Sequence, residues 1–194
     1  MEIAAQEGFE DICKLMVKFY QPQNEKNGPL HHAAKNGHLE ICKILLENDK
    51  HSILNLINED GLNALHFAAE SGNLEICKLF LEKNNVDVNS ASFAGNTPLH
   101  FASNNNFLEI CKLLVEKKGA NISKKDNDGW TALHFAAQNN NKEIFQFLLE
   151  NGASLNEKNN LGKTPLDILN FYGYETRQNY SYPIKNFLFR NFFF

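Results

Sequence analysis

The chain has 194 residues, 43% hydrophobic and 22% charged, enough for one folded unit or one continuous repeat array with a substantial core. The formal net charge is −4, and arginine occurs only as Arg177 and Arg190, so no basic patch marks a nucleic-acid partner. No apolar run reaches the roughly 18 residues that a membrane-spanning helix needs.

Two sequence blocks alternate along the chain. Met1 to Val17 carries both in short form, as Ala4-Ala5 and then Asp11-Ile12-Cys13-Lys14-Leu15. Charged and polar residues interrupt this stretch, so it does not read as a signal peptide. Glu2 behind Met1 excludes N-myristoylation. The next copy is Gly28-Pro29-Leu30-His31-His32-Ala33-Ala34, followed by Leu39-Glu40-Ile41-Cys42-Lys43. Gly61 opens Gly-Leu-Asn-Ala-Leu-His-Phe-Ala-Ala, which returns with small changes from Gly95 and from Gly129, a spacing of 34 residues both times. The second block follows each copy, from Leu74, from Leu108 and, in divergent form, from Lys142. A weaker copy closes the series at Gly162-Lys163-Thr164-Pro165-Leu166-Asp167.

Each first block starts a helix. Gly28, Asn63, Thr97, Thr131 and Thr164 are good N-cap residues. The next position holds Pro29, Ala64, Pro98, Ala132 and Pro165, all suited to the first helical turn. A helix pair of this length has an apolar face too large to cover alone, so neighbours must stack into one core.

A period near 33 built on Thr-Pro-Leu-His-x-Ala resembles the ankyrin repeat, over nearly the whole chain from residue 1 to about 173. The resemblance implies an all-α ankyrin-repeat solenoid of helix–turn–helix units with β-hairpin-like fingers. The repeat register divides the chain into a truncated first repeat or cap at 1–27 and full repeats at 28–60, 61–94, 95–128 and 129–161. A divergent last repeat with an aromatic tail occupies 162–194. The array is expected to be monomeric, with residues 1–20 as an N-terminal cap; the alternative is a fragment of a longer array.

Several features look like chemistry and read otherwise. Cys13, Cys42, Cys77 and Cys111 fall at one equivalent position of successive second helices. Stacked helices lie roughly 8–10 Å apart, beyond the ~7 Å Cα limit for a disulfide. These are therefore expected to be free, core-facing thiols, with no metal, in a reducing compartment such as the cytoplasm. His31, His66, His100 and His134 recur with the motif, which points to structure rather than to a single catalytic base. The resemblance implies that each ring hydrogen-bonds near its helix start. His32, His38 and His51 follow no ligand spacing. No phosphate loop, nucleophile elbow or HExxH is present, so neither an enzyme nor a cofactor is expected. Asparagine accounts for 28 residues, which limits what any single one signifies.

In ankyrin proteins, fingers and first helices line a concave surface where protein partners dock, and the resemblance carries that expectation to defined positions. The fingers contribute Glu59, Asp60 and Leu62; Phe93 and Asn96; Asn127, Asp128 and Trp130; Asn160 and Lys163. The first helices contribute Lys35, Asn36, Glu70, Ser71, Asn104, Asn105, Gln138 and Asn139. The single tryptophan, Trp130, reads either as an interface aromatic or as packing on a neighbouring finger. Phe93 stands where polar residues are usual. Leu81, Asp87, Val88 and Asn89 resemble the pattern recognised in ankyrin loops by the asparaginyl hydroxylase of animal cells, which makes Asn89 a candidate modification site. The expected function is a non-enzymatic scaffold or adaptor binding a protein of unknown identity. The alternative is an effector-type ankyrin protein of a virus or intracellular microbe acting on host proteins. Ten aromatics lie between Phe171 and Phe194, as a capping helix or a docking segment.

Overall fold

The computed structural model describes residues 1–20, 27–48, 53–83 and 86–174. Eleven α-helices are found among them, and no strand. They pair as α1 (Glu2–Glu7) with α2 (Glu10–Met16), α3 (Pro29–Asn36) with α4 (Leu39–Glu47), and α5 (Ala64–Glu70) with α6 (Leu74–Leu81). Then come α7 (Pro98–Asn104) with α8 (Leu108–Lys112), α9 (Ala132–Gln138) with α10 (Lys142–Glu150), and α11 (Pro165–Tyr174). Helix α8 runs on into a π-helical turn, Leu113–Lys117. The odd-numbered helices pack in one row from α1 to α11, and α2, α4, α6, α8 and α10 form a second row behind them. This is a stack of helical hairpins.

Helices of six to nine residues predominate, and isolated helices so short are marginal in water. Burial between repeats holds them. Leu30, Leu65, Leu99 and Leu133 are sealed in the first row, and Ile41, Ile76, Ile110 and Ile144 in the second. Each such side chain contributes roughly 1.5–3 kcal/mol when removed from water. Small residues let the rows approach: Ala33, Ala68, Ala102 and Ala136 are completely buried. Ahead of the second helices α4, α6, α8 and α10, a side chain reaches back across the stack. Asn73 Nδ2 donates to the Ala34 carbonyl at 2.6 Å, and Asn141 Nδ2 to that of Ser103 at 2.8 Å. At the same position Phe107 instead lays its ring on Gly72.

The sharp turn between the two helices of a repeat requires a left-handed residue. Gly37 and Gly72 supply it without a Cβ, and Asn106 (φ 64°) and Asn140 (φ 55°) replace glycine there.

The first repeat presents to solvent what later repeats bury. Ile12 and Met16 are 45% and 41% exposed, whereas their equivalents Ile41 and Leu45 are 0% exposed beneath the preceding repeat. Ile3, Leu15 and Phe19 enlarge this apolar outer face. Terminal repeats of solenoids normally carry a polar one.

All four cysteines are free and fully buried, as their equivalent positions predict. Removal from water pushes the thiols of Cys42, Cys77 and Cys111 up to about 12, and that of Cys13 upward. The native chain is therefore expected to resist a thiol reagent at neutral pH, while the denatured, non-reduced chain should titrate with four equivalents. Two or fewer titratable thiols after denaturation would contradict this packing.

Candidate functional site

The fingers are built by side chains that cap their own turns. Asn58 Oδ1 accepts the backbone N–H groups of Asp60 and Leu62 at 3.0 and 2.9 Å. Asp126 does the same for Asp128 and Trp130, and Asn159 for Leu161 and Lys163. Ser92 Oγ accepts from Asn96 in the remaining finger. Backbone bonds close each finger as a hairpin, as from Asp126 N–H to the Trp130 carbonyl at 2.9 Å.

Successive fingers are then joined tip to tip. Phe93 N–H donates to the Asp60 carbonyl at 2.8 Å, Asn127 N–H to Ala94 at 3.0 Å, and Asn160 N–H to Asp128 at 2.9 Å. The approach requires glycine: a Cβ on Gly129 (φ 78°) would stand 2.9 Å from the Asn160 nitrogen.

The recurring histidines couple this finger ridge to the helices. Thr97 N–H donates to Nδ1 of His100 at 3.0 Å, and the Thr97 hydroxyl lies 2.8 Å from the same nitrogen. On the other edge of the ring, Nε2 faces the Lys124 and Trp130 carbonyls at 3.0 and 3.2 Å. Two carbonyls on Nε2 require it to carry the hydrogen, so Nδ1 accepts. His66 and His134 repeat the arrangement, reaching Ser90 and Asn96, and Lys163. His31 reaches Leu56 at 3.0 Å. The resemblance implied bonds near the helix start; the second edge, which reaches the end of the histidine's own repeat and, from His66, His100 and His134, the first finger residues of the next, lies beyond that expectation.

Three of the four histidines also meet an aromatic ring one repeat on. His31 stands edge-on to Phe67, His66 to Phe101 and His100 to Phe135, with centroids 5.5–5.8 Å apart. Phe101 and Phe135 are half-buried, and Phe67 is closed over by Lys35, whose ammonium lies 5.8 Å from the ring centroid. Trp130 tilts onto Phe135 at 5.2 Å and onto His134 at 5.7 Å. It therefore packs on the first helix of its own repeat, while Phe93 lies against Gly61 of the preceding finger and is 65% exposed.

Two concavities lie on this face. One, about 230 Å³, is lined by Gln6, Asn27, His31, His32, Lys35, Asn36 and Phe67. The other, about 300 Å³ and mainly apolar, is lined by Trp130, Gln138, Asn159, Leu161, Lys163, Asp167 and Ile168. Leu161 is 80% exposed at its rim.

The sequence-predicted residues thus divide. Trp130, Gln138 and Lys163 meet at the second concavity, and Lys35 and Asn36 at the first. Glu59 and Phe93 are exposed on the fingers, with Leu62 and Asn96 half-buried beside them and Glu70 half-buried on α5. Some of the predicted asparagines are engaged within the stack. Asn127 Nδ2 donates to the Phe93 carbonyl, and Asn104 Oδ1 accepts from Asn139, both at 2.8 Å. Asn89 is half-buried, its Oδ1 accepting the Asn121 N–H at 2.7 Å. Sequence reasoning passed over Leu161 and Ile168. The signal was a leucine directly before Gly162, where the equivalent fingers carry Asp60, Ala94 and Asp128. Among the described residues, no group of three or more histidines, cysteines or carboxylates is placed to hold a metal, and no helix is long and apolar enough to cross a membrane. The tail from 175 to 194 lies outside the described residues.

Burial depresses the basicity of these imidazoles. His66 is lowered to about 4, and His31, His100 and His134 are also lowered, desolvation being the largest cause each time. A free imidazole protonates near pH 6.5. Between there and about pH 4 the unfolded chain binds protons that the folded chain refuses, so stability is complete above the upper value and falls as pH falls. The full His66 shift alone corresponds to about 3 kcal/mol. Urea unfolding at pH 5 should accordingly show a lower midpoint than at pH 7; an equal or higher midpoint would contradict buried, neutral rings.

A search of curated proteins finds no match. The family model for ankyrin repeats (3 copies) matches residues 1–92, 50–126, 85–159 and 119–175, which together run through almost the whole described stack. Members of that family generally act as protein–protein interaction modules, and the chain belongs to the ankyrin-repeat family.

Proposed function

We propose that this chain is a non-enzymatic scaffold or adaptor that holds a protein partner against its fingers and first helices. One observation carries the reading: Phe93 and Leu161 stand exposed on the finger ridge on either side of the half-buried Trp130, beside a mainly apolar concavity of about 300 Å³. Large side chains left open in this way, next to a ring already held in place, are the kind that dominate interface energetics. The polar first-helix positions Lys35, Glu70, Asn104 and Gln138 supply the rim, with Glu59, Leu62, Asn96 and Asn127 completing it on the fingers. Four unpaired thiols support a reducing compartment, the cytoplasm, as its place of work.

The test begins with proteins captured by the intact chain, followed by titration of each purified one. Replacing Phe93 and Trp130 together by alanine should weaken binding by roughly 2–4 kcal/mol while the helical circular dichroism is retained. Unchanged affinity in the folded double variant would move the interface off this face.

A further inference from the structure

The first repeat departs from the repeat pattern where its outer face is open. Each second helix can be counted from its isoleucine: Ile12, Ile41, Ile76, Ile110 and Ile144. Six positions on, the later repeats hold Glu47, Glu82, Glu116 and Glu150, and at the next position Asn48, Lys83, Lys117 and Asn151. The first repeat has Lys18 and Phe19 there instead. Phe19 is 83% exposed and Leu15 73%, and they continue the stripe of Ile12 and Met16 at helical spacing. Ile3 and Phe9 widen it. A preceding repeat of the same pattern would account for Ile12 and Met16, whose equivalents such a repeat buries. It would not account for a phenylalanine where the stack keeps a polar residue.

Size and charge select the occupant. An aromatic ring offers roughly 150–250 Å² and an aliphatic side chain roughly 60–120 Å², so the open parts of these six side chains come to about 500 Å². Two such faces together bury about 1,000 Å², where specific interfaces begin. Acidic residues outnumber lysines around the face, with Glu2, Glu7, Glu10 and Asp11 against Lys14 and Lys18, so an anionic membrane surface is repelled. Along α2 the charge runs from acid to base, Glu10 and Asp11 in the first turn, then Lys14, then Lys18 in the 3-10 turn that follows. Asp11 and Lys18 stand two turns apart on one edge of the stripe. A parallel neighbour of the stack's pattern would set Asp11 against a glutamate, the residue at that position in Glu40, Glu75, Glu109 and Glu143. An antiparallel α2 sets Asp11 against Lys18, twice over. The 3.7 Å contact of Asp11 with Lys14 in its own chain is an exposed pair that contributes little.

We infer that two copies of this chain pair through their first repeats, α2 antiparallel to α2 across a two-fold axis. Ile12, Leu15, Met16 and Phe19 close against the same residues of the second copy, as an isologous interface requires. A monomer, expected from the sequence, leaves this face in water. The concavity beside Trp130 lies at the other end of the stack and stays open in both copies.

Sedimentation of the full chain over a range of concentrations tests this. A reversible monomer–dimer equilibrium in the micromolar range is expected. Leu15→Ser with Phe19→Ser should leave only monomer, with helical circular dichroism and urea midpoint unchanged, because both side chains are exposed. Asp11→Lys should weaken the dimer by about tenfold, two pairs being altered at once, and adding Lys18→Asp should restore it. A parent chain that stays monomeric would overturn the inference. If the serine variant were then also less stable to urea, the face would be covered within the chain, by its own segment 175–194. Species that keep growing beyond a dimer would overturn it in favour of head-to-tail stacking. A dimer that survives the serine variant, or that Lys18→Asp fails to restore, would equally contradict the antiparallel pairing.

Discussion

One buried imidazole per repeat, bonded on both edges, is the interaction on which the rest of this stack depends. Its Nδ1 accepts from the cap of its own first helix, and in His66, His100 and His134 its Nε2 also faces a carbonyl of the following repeat, that of Asn96, Trp130 or Lys163. An orphaned buried nitrogen costs about 1–3 kcal/mol, so neither half can be dropped cheaply. Helix start and repeat spacing are therefore specified by the same ring. That ring also stands edge-on to the phenylalanine one repeat on, from His31, His66 and His100. Local capping and stacking are tied together by one residue placed every 34 or 35 positions.

The departures from the pattern follow from the same constraint. A threonine cap can donate its hydroxyl hydrogen to Nδ1, as Thr97 and Thr131 do at 2.8 Å. Asn63 Oδ1 sits at the same 2.8 Å from His66 Nδ1 and already accepts the His66 backbone N–H. An amide oxygen has no hydrogen to give, so this cap is the less well satisfied one. In the last repeat Asp167 replaces histidine. Its carboxylate accepts from Thr164 N–H and hydroxyl at 2.9 and 2.8 Å, which keeps the cap and omits the reach to another repeat.

Much of this was legible in the sequence because the motif repeats in register. Caps at Asn63, Thr97 and Thr131, the buried cysteine column and the structural role of the histidines all follow from equivalent positions, since a role that recurs each repeat belongs to the stack. Other features were not legible, because register says which face a residue is on and not what covers it. Asn127 reads as a free finger amide, yet it is used on the Phe93 carbonyl. Ile12 reads as core by equivalence, yet no described repeat covers it. Leu161 and Ile168 are unremarkable separately; their meeting with Trp130 depends on how the fifth repeat sits on the last.

The central claim concerns the hydrogens of four imidazoles, and ¹⁵N-detected NMR of the histidine side chains reads them directly. In the folded chain at pH 7, His31, His66, His100 and His134 should give the shift pattern of neutral rings with hydrogen on Nε2, and His66 should hold it down to about pH 4. Neutral rings with hydrogen on Nδ1, or a His66 ring that charges near pH 6.5 as a free imidazole does, would contradict the two-edged bonding from which the stack is derived.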